Sequence, residues 1–263
     1  MSHIRHEPRA RTVAQRRAAG DVIDRHRHDD HQLIYVSAGV LAIQTEAGAW
    51  VAASDRAVWI PAGTWHEHRF YGASSFRTVG FPAAGAPLAD DSPVVVAVSG
   101  LLRELLVACT DNALPADESR RIRAVVADQL RRARVQPITV PAARDARLAQ
   151  ACDLVVANLA EPRTLAWLGR RAGASERTLA RLFRAEFGMT YPQWRTNARL
   201  FHAMIQLAGE ASVTEAAHRC GWATTSAFID TFRRAMGQTP GSYKAAAPAG
   251  SVPSGVPVTV TLT

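Results

Sequence analysis

The chain has 263 residues and a mass of 28.4 kDa, which is enough for two domains of ordinary size. Apolar residues make up 48% and charged residues 21%, so the composition excludes a largely disordered protein. The net charge is +8, and residues 144–263 carry 14 basic and 8 acidic side chains, which directs the search for a polyanionic partner to that region. Because no apolar run approaches the ~20 residues that span a bilayer and no secretory signal is visible, we expect a soluble cytoplasmic protein that has no membrane partner.

The first 81 residues contain short apolar segments separated by turn signals. The predicted strands are 32–36, 40–44, 57–60 and 76–81, and the turn signals are Ala38-Gly39, Ala47-Gly48, Pro61–Gly63 and Gly72. Short strands at this spacing favour a small antiparallel barrel or sandwich. We therefore place a sensor domain at residues 1–98.

Beyond a proline-containing loop at 82–93, the apolar period becomes helical. Leucines at 101, 102, 105 and 106 form one helical stripe, and 116–134 predicts a second helix. Residues 99–140 are therefore predicted to be a helical connector and linker, and 141–244 a helical domain. The tail at 245–263 is poor in charge and rich in Pro, Gly and Ala, and we expect it to be disordered.

One segment of the helical domain occurs twice, 49 residues apart. Ser175–Thr190 aligns with Thr224–Thr239, so that apolar residues fall on one face of a helix in both copies. Ser175 and Thr224 stand where a helix N-cap belongs, and Gly188 and Gly237 follow the end of each helix. The sequence therefore predicts the same capped amphipathic helix twice.

A shorter helix precedes each copy, and a turn that contains glycine separates the two helices. The second short helix begins with the capping box Ser212-x-x-Glu215, and a longer helix at 194–207 lies between the two copies. Two helices joined by such a turn form a helix-turn-helix, which binds DNA in many proteins. The alternative is an all-α bundle without a nucleic-acid partner.

The second copy carries a specific motif. It comprises Gly221, Trp222, Ser226, Phe228, Phe232, Arg233, Gly237, Thr239 and Pro240. These residues, together with 164–194, resemble the DNA-binding domain of AraC/XylS-type regulators. The resemblance implies two helix-turn-helices that contact two successive major-groove faces of double-stranded DNA, with RNA polymerase as a further partner.

The resemblance also assigns positions that would contact DNA. The base-reading positions are Arg177, Ala180 and Arg181 in the first copy and Thr225, Ser226, Ile229 and Asp230 in the second. Arg184 and Arg233 follow the apolar positions and are expected to contact the DNA backbone. The alternative for the arginines is a solvated basic face.

Seven of the nine histidines lie before residue 69. His26 and His28 are two residues apart, so on a strand both face the same side, and Gln32 follows them. Together with Pro61-Ala-Gly63-Thr-Trp-His66, these residues resemble the two motifs of cupin barrels. The chain departs from the cupin pattern at Gln32, where cupins usually have Glu.

The cupin resemblance implies that His26, His28, Gln32 and His66 face the barrel interior, where they could hold a divalent metal. Zn, Ni, Fe or Mn would suit this donor set. Because the amide of Gln32 is a weaker ligand than a carboxylate, a polar effector pocket without metal is an alternative, and a hydrated strand edge is a third. His68 shares the inward face with His66.

The chain as a whole is therefore predicted to have an α+β fold, with an antiparallel cupin-like barrel followed by a double helix-turn-helix domain. We expect a sequence-specific transcriptional regulator whose barrel binds a small-molecule or metal effector, and not an enzyme. The alternatives are a cupin-type metalloenzyme, such as a dioxygenase or isomerase, and a DNA-binding protein whose barrel serves only to form a homodimer.

Overall fold

The computed structural model describes residues 4–111, 113–133, 135–136, 139–209 and 211–246. The chain divides into two compact units, the first formed by 1–46 and 50–137 and the second by 47–49 and 138–245. The predicted disordered tail lies outside the described residues, except for positions 245 and 246 at the end of the last helix. Among the described residues, no helix has the length and apolar character needed to cross a membrane.

The first unit is built on one sheet. Its strands are β1 Arg5–Glu7, β2 Val13–Arg17, β3 Val22–His28, β4 His31–Thr45, β5 Gly48–Ala52, β6 Arg56–Ile60, β7 His66–Phe81, β8 Val94–Ala97 and β9 Val135–Gln136. The first two residues of β5 belong to the second unit. The main path of the sheet is β1-β3-β7-β4-β6-β8-β9, and all of its pairs are antiparallel except β1 with β3. Strand β2 also pairs with β7, so β2 and β3 lie end to end along one edge of that strand. The result is a strand-rich half-barrel, where the sequence predicts a small antiparallel barrel.

Strands β4 and β7 are longer than the sequence suggests, and the turns predicted at Ala38-Gly39 and Gly72 are wrong. Both sites lie inside continuous strands, where the pairing register shifts between Val36 and Val40. Gly39 and Gly72 have φ values of +76° and +75°, which glycine adopts without steric cost. These glycines therefore form β-bulges that bend two long paired strands. The predicted turns at 47–48 and 61–63 are confirmed.

Two helices, α1 Gly100–Cys109 and α2 Ala116–Arg132, complete the first unit. Their buried faces, which include Leu102 and Leu130, belong to the same apolar core as Leu33 and Trp59 of the sheet. The sequence sets these helices apart as a connector, but their packing makes them part of the half-barrel unit.

The second unit is helical, apart from the short strand β10 Val140–Pro141 and residues 48–49 at the start of β5, with which β10 pairs inside this unit. The helices are α3 Ala146–Val156, α4 Leu165–Arg171, α5 Glu176–Phe187, α6 Tyr191–Ala208, α7 Val213–Arg219, α8 Thr225–Met236 and α9 Pro240–Ala246. Helices α4 and α5 form the first helix-turn-helix, α7 and α8 form the second, and α6 joins them. Helices α5 and α8 have 12 residues each, so the predicted repeat is confirmed.

Candidate functional site

The second helices of the two motifs, α5 and α8, which are the recognition helices of a DNA-binding helix-turn-helix, have both ends fixed by the residues that the repeat predicts. The hydroxyl of Ser175 accepts from the amide of Thr178 at 3.0 Å, and the hydroxyl of Thr224 accepts from the amide of Ala227 at 3.2 Å. Each helix ends at a glycine in the left-handed conformation. The caps satisfy backbone groups that helix termini leave unpaired, so both helices begin and end at defined residues.

One face of each recognition helix is anchored in an apolar core. Leu179, Phe183 and Phe187 are buried on α5, and Phe228, Phe232 and Met236 are buried on α8. Trp194 of α6 packs on Phe183, with ring centroids 5.5 Å apart. On α8, Phe228 packs on Trp222 at 4.8 Å. This packing determines which side chains each helix presents to solvent.

The nine residues predicted to contact DNA lie on the opposite, outward faces. Six of them are exposed, namely Arg177, Arg181, Arg184, Ser226, Asp230 and Arg233. Ala180, Thr225 and Ile229 are half-buried between them. The four residues on α5, together with Thr178, line a single surface depression of about 520 Å³.

The charge on the outward faces is available to a partner. In the described part of the second unit, the ion pairs are Arg147–Asp145, Arg163–Glu161 and Arg219–Glu215. The arginines of α5 are therefore not neutralised by ion pairs in this part of the chain. Asp230 likewise has no basic partner among these pairs, so α8 presents a mixed face where α5 presents a basic one.

Helix α6 is tied to both halves of the repeat through two arginines. Arg199 Nε donates to the carbonyl oxygen of Cys220 at 2.6 Å, and its guanidinium lies 3.8 Å from the ring centroid of Trp222. Burial lowers the pKa of Arg199 to about 10. Arg195 donates to the carbonyl oxygen of Leu159 at 2.9 Å, in the loop before α4. These side-chain to backbone bonds hold the turn of the second motif and the approach to the first against one rigid helix.

In the half-barrel, four histidines meet. His26 and His28 lie on β3, His66 and His68 lie on β7, and His26 is the register partner of His66. The ring centroids of His26 and His66 are 4.3 Å apart, and those of His26 and His28 are 5.0 Å apart. Candidate ligand atoms of His26, His66 and His68 all lie within 4.8 Å of one another. The structure therefore groups His26 and His66 with His68, which shares the inward face, whereas His28 lies near them but outside this set of ligand atoms.

The hydrogen bonds of three of these histidines determine which ring nitrogen is free. Nδ1 of His26 lies 2.8 Å from the carbonyl oxygen of Asp24, Nδ1 of His28 lies 3.1 Å from that of Glu7, and Nδ1 of His66 lies 3.0 Å from that of Thr64. A carbonyl oxygen only accepts, so Nδ1 is the donor and Nε2 keeps its lone pair.

The free nitrogens have the chemistry of metal ligands. Nε2 of His28 and of His66 is buried without a hydrogen-bond partner, as are both ring nitrogens of His68. Burial lowers the pKa of all four imidazoles, that of His66 to about 3, so they are neutral at physiological pH. Neutral imidazoles whose other nitrogen donates to the backbone fit a divalent transition metal.

Gln32 lies on the same cavity as the histidines. Its side chain is 5% exposed, and its buried Oε1 has no hydrogen-bond partner. The cavity measures about 270 Å³ and is lined by His26, His28 and His68 as well as by Gln32. The residue that departs from the cupin motif therefore offers a neutral oxygen at the position that the motif predicts.

Several residues that line this cavity carry no motif and were not predicted. Arg17, Phe76 and Thr78 come from β2 and β7, and Arg5 and Glu7 come from β1. Alternation along β2 could have identified Arg17 as facing the cavity, but only with knowledge of which edge of β7 receives that strand.

Comparison with known proteins gives matches for both units. The chain matches a helix-turn-helix domain model over residues 168–246 and a cupin domain model over residues 15–79. It is 30% identical over 224 residues to the HTH-type transcriptional regulator NimR of Escherichia coli K12, a match that covers 83% of this chain and 81% of that protein. It is 34% identical over 110 residues to the HTH-type transcriptional regulator RipA of Corynebacterium glutamicum, a match that covers 42% of this chain and 33% of RipA.

Among solved structures, part of the chain is similar to a transcriptional regulator of the AraC-type DNA-binding class from Chromobacterium violaceum. The two share 28% identity with a TM-score of 0.36, over 38% of this chain and 89% of that one. A DNA-binding transcriptional dual regulator from Escherichia coli K-12 gives 27% identity and the same TM-score, over 39% of this chain and 92% of that one.

Proposed function

Because the chain belongs to the AraC-type family of helix-turn-helix transcriptional regulators, we propose that α5 and α8 read the bases of a promoter and that the half-barrel binds the effector that controls this binding. The family assignment makes the protein a DNA-binding regulator and argues against the cupin-enzyme alternative. The identities of the DNA-contacting and effector-binding residues belong to the proposal.

The observation that carries the DNA-binding proposal is the repeat. Two helices with the same caps and the same buried face point their other sides to solvent, and α6 joins the two motifs. Two recognition helices on one rigid connection suit two major-groove segments about 10 base pairs apart. Arginine also offers the paired donors that match guanine and phosphate.

Within this proposal, each outward residue has a role set by its side chain. Arg177 and Arg181 donate to guanine or phosphate, Ala180 and Ile229 contact apolar base edges such as the thymine methyl, and Ser226 and Thr225 make adaptable hydroxyl contacts. Asp230 accepts from a cytosine amino group. Arg184 and Arg233 contact phosphates and position both helices without reading sequence.

The test is a binding titration of the full chain on DNA from upstream of its own gene. Arg181→Ala is expected to weaken binding tenfold or more and to relax preference in one segment of the site. The matched control is Arg120→Ala, because Arg120 is exposed on α2 of the half-barrel unit. If both variants bind like wild type, or if the wild type binds no fragment of that DNA, the proposed role of α5 is wrong.

For the half-barrel, we propose that the His26, His28, His66 and Gln32 cluster, joined by His68, holds a divalent metal or the polar part of an effector. When bound, a Zn, Ni, Fe or Mn ion would supply a Lewis-acidic centre for an oxygen or nitrogen atom of the effector. The chain's own contribution is the set of Nε2 lone pairs, held in place by the backbone carbonyls that accept from Nδ1.

The metal part of this proposal is tested by reconstitution. Wild-type protein incubated with each of the four ions, then desalted, is expected to retain about one ion per chain by elemental analysis. His26→Ala combined with His28→Ala should abolish retention, whereas His218→Ala, an exposed histidine on α7, should not. A wild type that retains none of the four ions would leave the polar effector pocket without metal.

Two further partners complete the proposal. Leu101 and Val125 are exposed apolar residues on α1 and α2, which supports contact between two copies of the half-barrel unit. A Leu101→Glu, Val125→Glu double variant should sediment as a monomer where wild type sediments as a dimer.

RNA polymerase is the expected second partner at the promoter, and transcription in a purified system, with and without the protein, tests this.

A further inference from the structure

The cavity of the half-barrel has two chemically different parts. Its inner part consists of the imidazoles of His26, His28 and His68 and the Gln32 amide. Its other part is formed by β1, β2 and the segment between them, which contribute Arg5, Arg11 and Arg17. The arginines therefore bring permanent positive charge to this part of the cavity.

The positive charge is only partly balanced. Among the described residues, Glu7 is the one acidic residue that lines the cavity. Its carboxylate already forms an ion pair with Arg5, whose Nη2 lies 2.6 Å away. Neither Arg11 nor Arg17 forms an ion pair among the described residues. Two guanidinium groups thus face a small cavity that contains no free carboxylate.

Arg17 is held in place although no acid binds it. Its Nη2 donates to Oε1 of Gln15 at 2.6 Å, and its guanidinium lies 5.8 Å from the ring centroid of Phe70. Nε of Arg17 is buried and lacks a hydrogen-bond partner. An unsatisfied buried donor on a positioned cation is costly unless a ligand accepts from it. The Arg17 side chain is therefore positioned to donate a charge-assisted hydrogen bond to a ligand.

The cavity also has an apolar wall. Val13 of β2, Ile23 of β3 and Phe76 of β7 line it beside the arginines, and Phe76 is 3% exposed. Its volume of about 270 Å³ lies just below the range for drug-sized ligands, roughly 300–1,000 Å³. The space fits a compact molecule that has both a charged end and an apolar body.

We propose that the effector is a small organic carboxylate with an apolar body, and that Arg17, assisted by Arg11, binds the carboxylate group. This inference rests on the proposed effector role of the half-barrel and specifies the chemistry of its ligand. The planar guanidinium donates two parallel hydrogen bonds to a carboxylate, which an amide of the same shape cannot match. The apolar body lies against Phe76, Val13 and Ile23.

The experiment is isothermal titration of the full chain with matched pairs of acid and amide. The probes are benzoate with benzamide, phenylacetate with phenylacetamide, and hexanoate with hexanamide, with acetate and inorganic phosphate as anions that lack an apolar body. The protein is treated with a chelator first, so that binding through a metal ion does not contribute. We expect at least one acid to bind at least tenfold more tightly than its own amide and than acetate or phosphate.

Matched variants locate the binding group. Arg17→Gln should reduce the affinity for that acid about tenfold or more while leaving the affinity for its amide unchanged, and Arg11→Gln should have a smaller effect of the same kind. Arg16→Gln is the control, because Arg16 is the exposed neighbour on β2 and does not line the cavity. Circular dichroism of each variant checks that it is folded. Because Arg11 is exposed, Arg11→Gln tests the proposal without risk to the fold.

The inference is overturned if amides bind as tightly as acids, if acetate or phosphate binds as tightly as the larger acids, if no acid binds, or if Arg17→Gln and Arg16→Gln behave alike. DNA binding by the same preparations is measured in parallel. A protein that binds its promoter but no carboxylate contradicts this inference alone, whereas one that binds no promoter DNA contradicts the proposed function.

Discussion

The two helix-turn-helix motifs share a backbone and differ on the side that faces solvent. Helices α5 and α8 have the same length, the same type of cap and the same spacing of buried residues. Their outward residues align in pairs, Arg177 with Ser226, Ala180 with Ile229 and Arg181 with Asp230. Only the pair proposed to contact phosphate, Arg184 and Arg233, is identical.

The buried face and the outward face of these helices are therefore under different constraints. The buried face and the caps are fixed by packing and by unpaired backbone groups, which are the same in both copies. The outward face has no such constraint, so its residues are free to suit different base pairs. We therefore expect matched substitutions on the buried side to have similar effects in the two motifs, and matched substitutions on the outward side to have different ones.

The largest effects are expected from Phe183→Ala and Phe232→Ala, the equivalent core positions. Both rings are fully buried, and each packs on at least two other aromatic rings. Removing either should lower the free energy of unfolding of the helical unit by roughly 3–5 kcal/mol. Amide hydrogen exchange in α6, measured in the full chain, gives this value. A loss below about 1 kcal/mol in one variant alone would show that the two cores are not equivalent.

The turns of the two motifs are expected to differ. Gly173 and Gly221 both have positive φ, so alanine at either position costs roughly 1–2 kcal/mol. A Cβ on Gly173 would meet nothing within 4 Å, whereas on Gly221 it would overlap the carbonyl oxygen of Leu159 and lie 2.9 Å from the Cα of Ala160. Gly221→Ala should therefore lose a further 1–3 kcal/mol through overpacking. Amide hydrogen exchange in α4 for Gly173→Ala and in α7 for Gly221→Ala measures the two losses of stability. Equal losses would contradict the predicted overlap at Gly221.

The sequence predicted the helical unit better than the half-barrel, for a physical reason. Caps, apolar spacing and turns are local, so the repeat could be found from residues 175–190 and 224–239 alone. In the sheet, the bulges at Gly39 and Gly72 depend on a partner strand, and glycine marks a bulge and a turn equally well. The histidines were predicted from their resemblance to the cupin motifs, but Arg17 faces the same cavity only because β2 pairs with β7.

On the outward faces, substitutions at the pair Arg181 and Asp230 should act in opposite directions. Arg181→Ala removes a donor to guanine or phosphate and should cost roughly 1–3 kcal/mol at one segment of the site. Asp230→Ala removes a carboxylate that repels phosphate, so affinity for non-specific DNA should rise. In the Asp230→Ala variant, base preference should relax only in the segment of the site that α8 contacts.

Binding measured across every base substitution in the site distinguishes these outcomes. A uniform loss for Arg181→Ala, with no position relaxed, would mean that α5 supplies only a basic surface. Ser226 aligns with Arg177 in the repeat, so Ser226→Ala and Arg177→Ala can be compared directly. Loss of the single hydroxyl contact of Ser226 is expected to cost less binding free energy than loss of the two-donor contact of Arg177.

The smallest difference is expected at the identical pair, Arg184 and Arg233. Both are exposed, and both are one residue beyond a buried phenylalanine, so each should contact one phosphate. Loss of one phosphate contact releases about one counterion fewer, so Arg184→Ala and Arg233→Ala should each lower the slope of log affinity against log salt by about one unit. Near physiological salt this weakens binding only several-fold, and equally for all sequences. If either variant instead changed the preferred base at one position, that arginine would belong to the reading face, and the two motifs would differ at this pair as well.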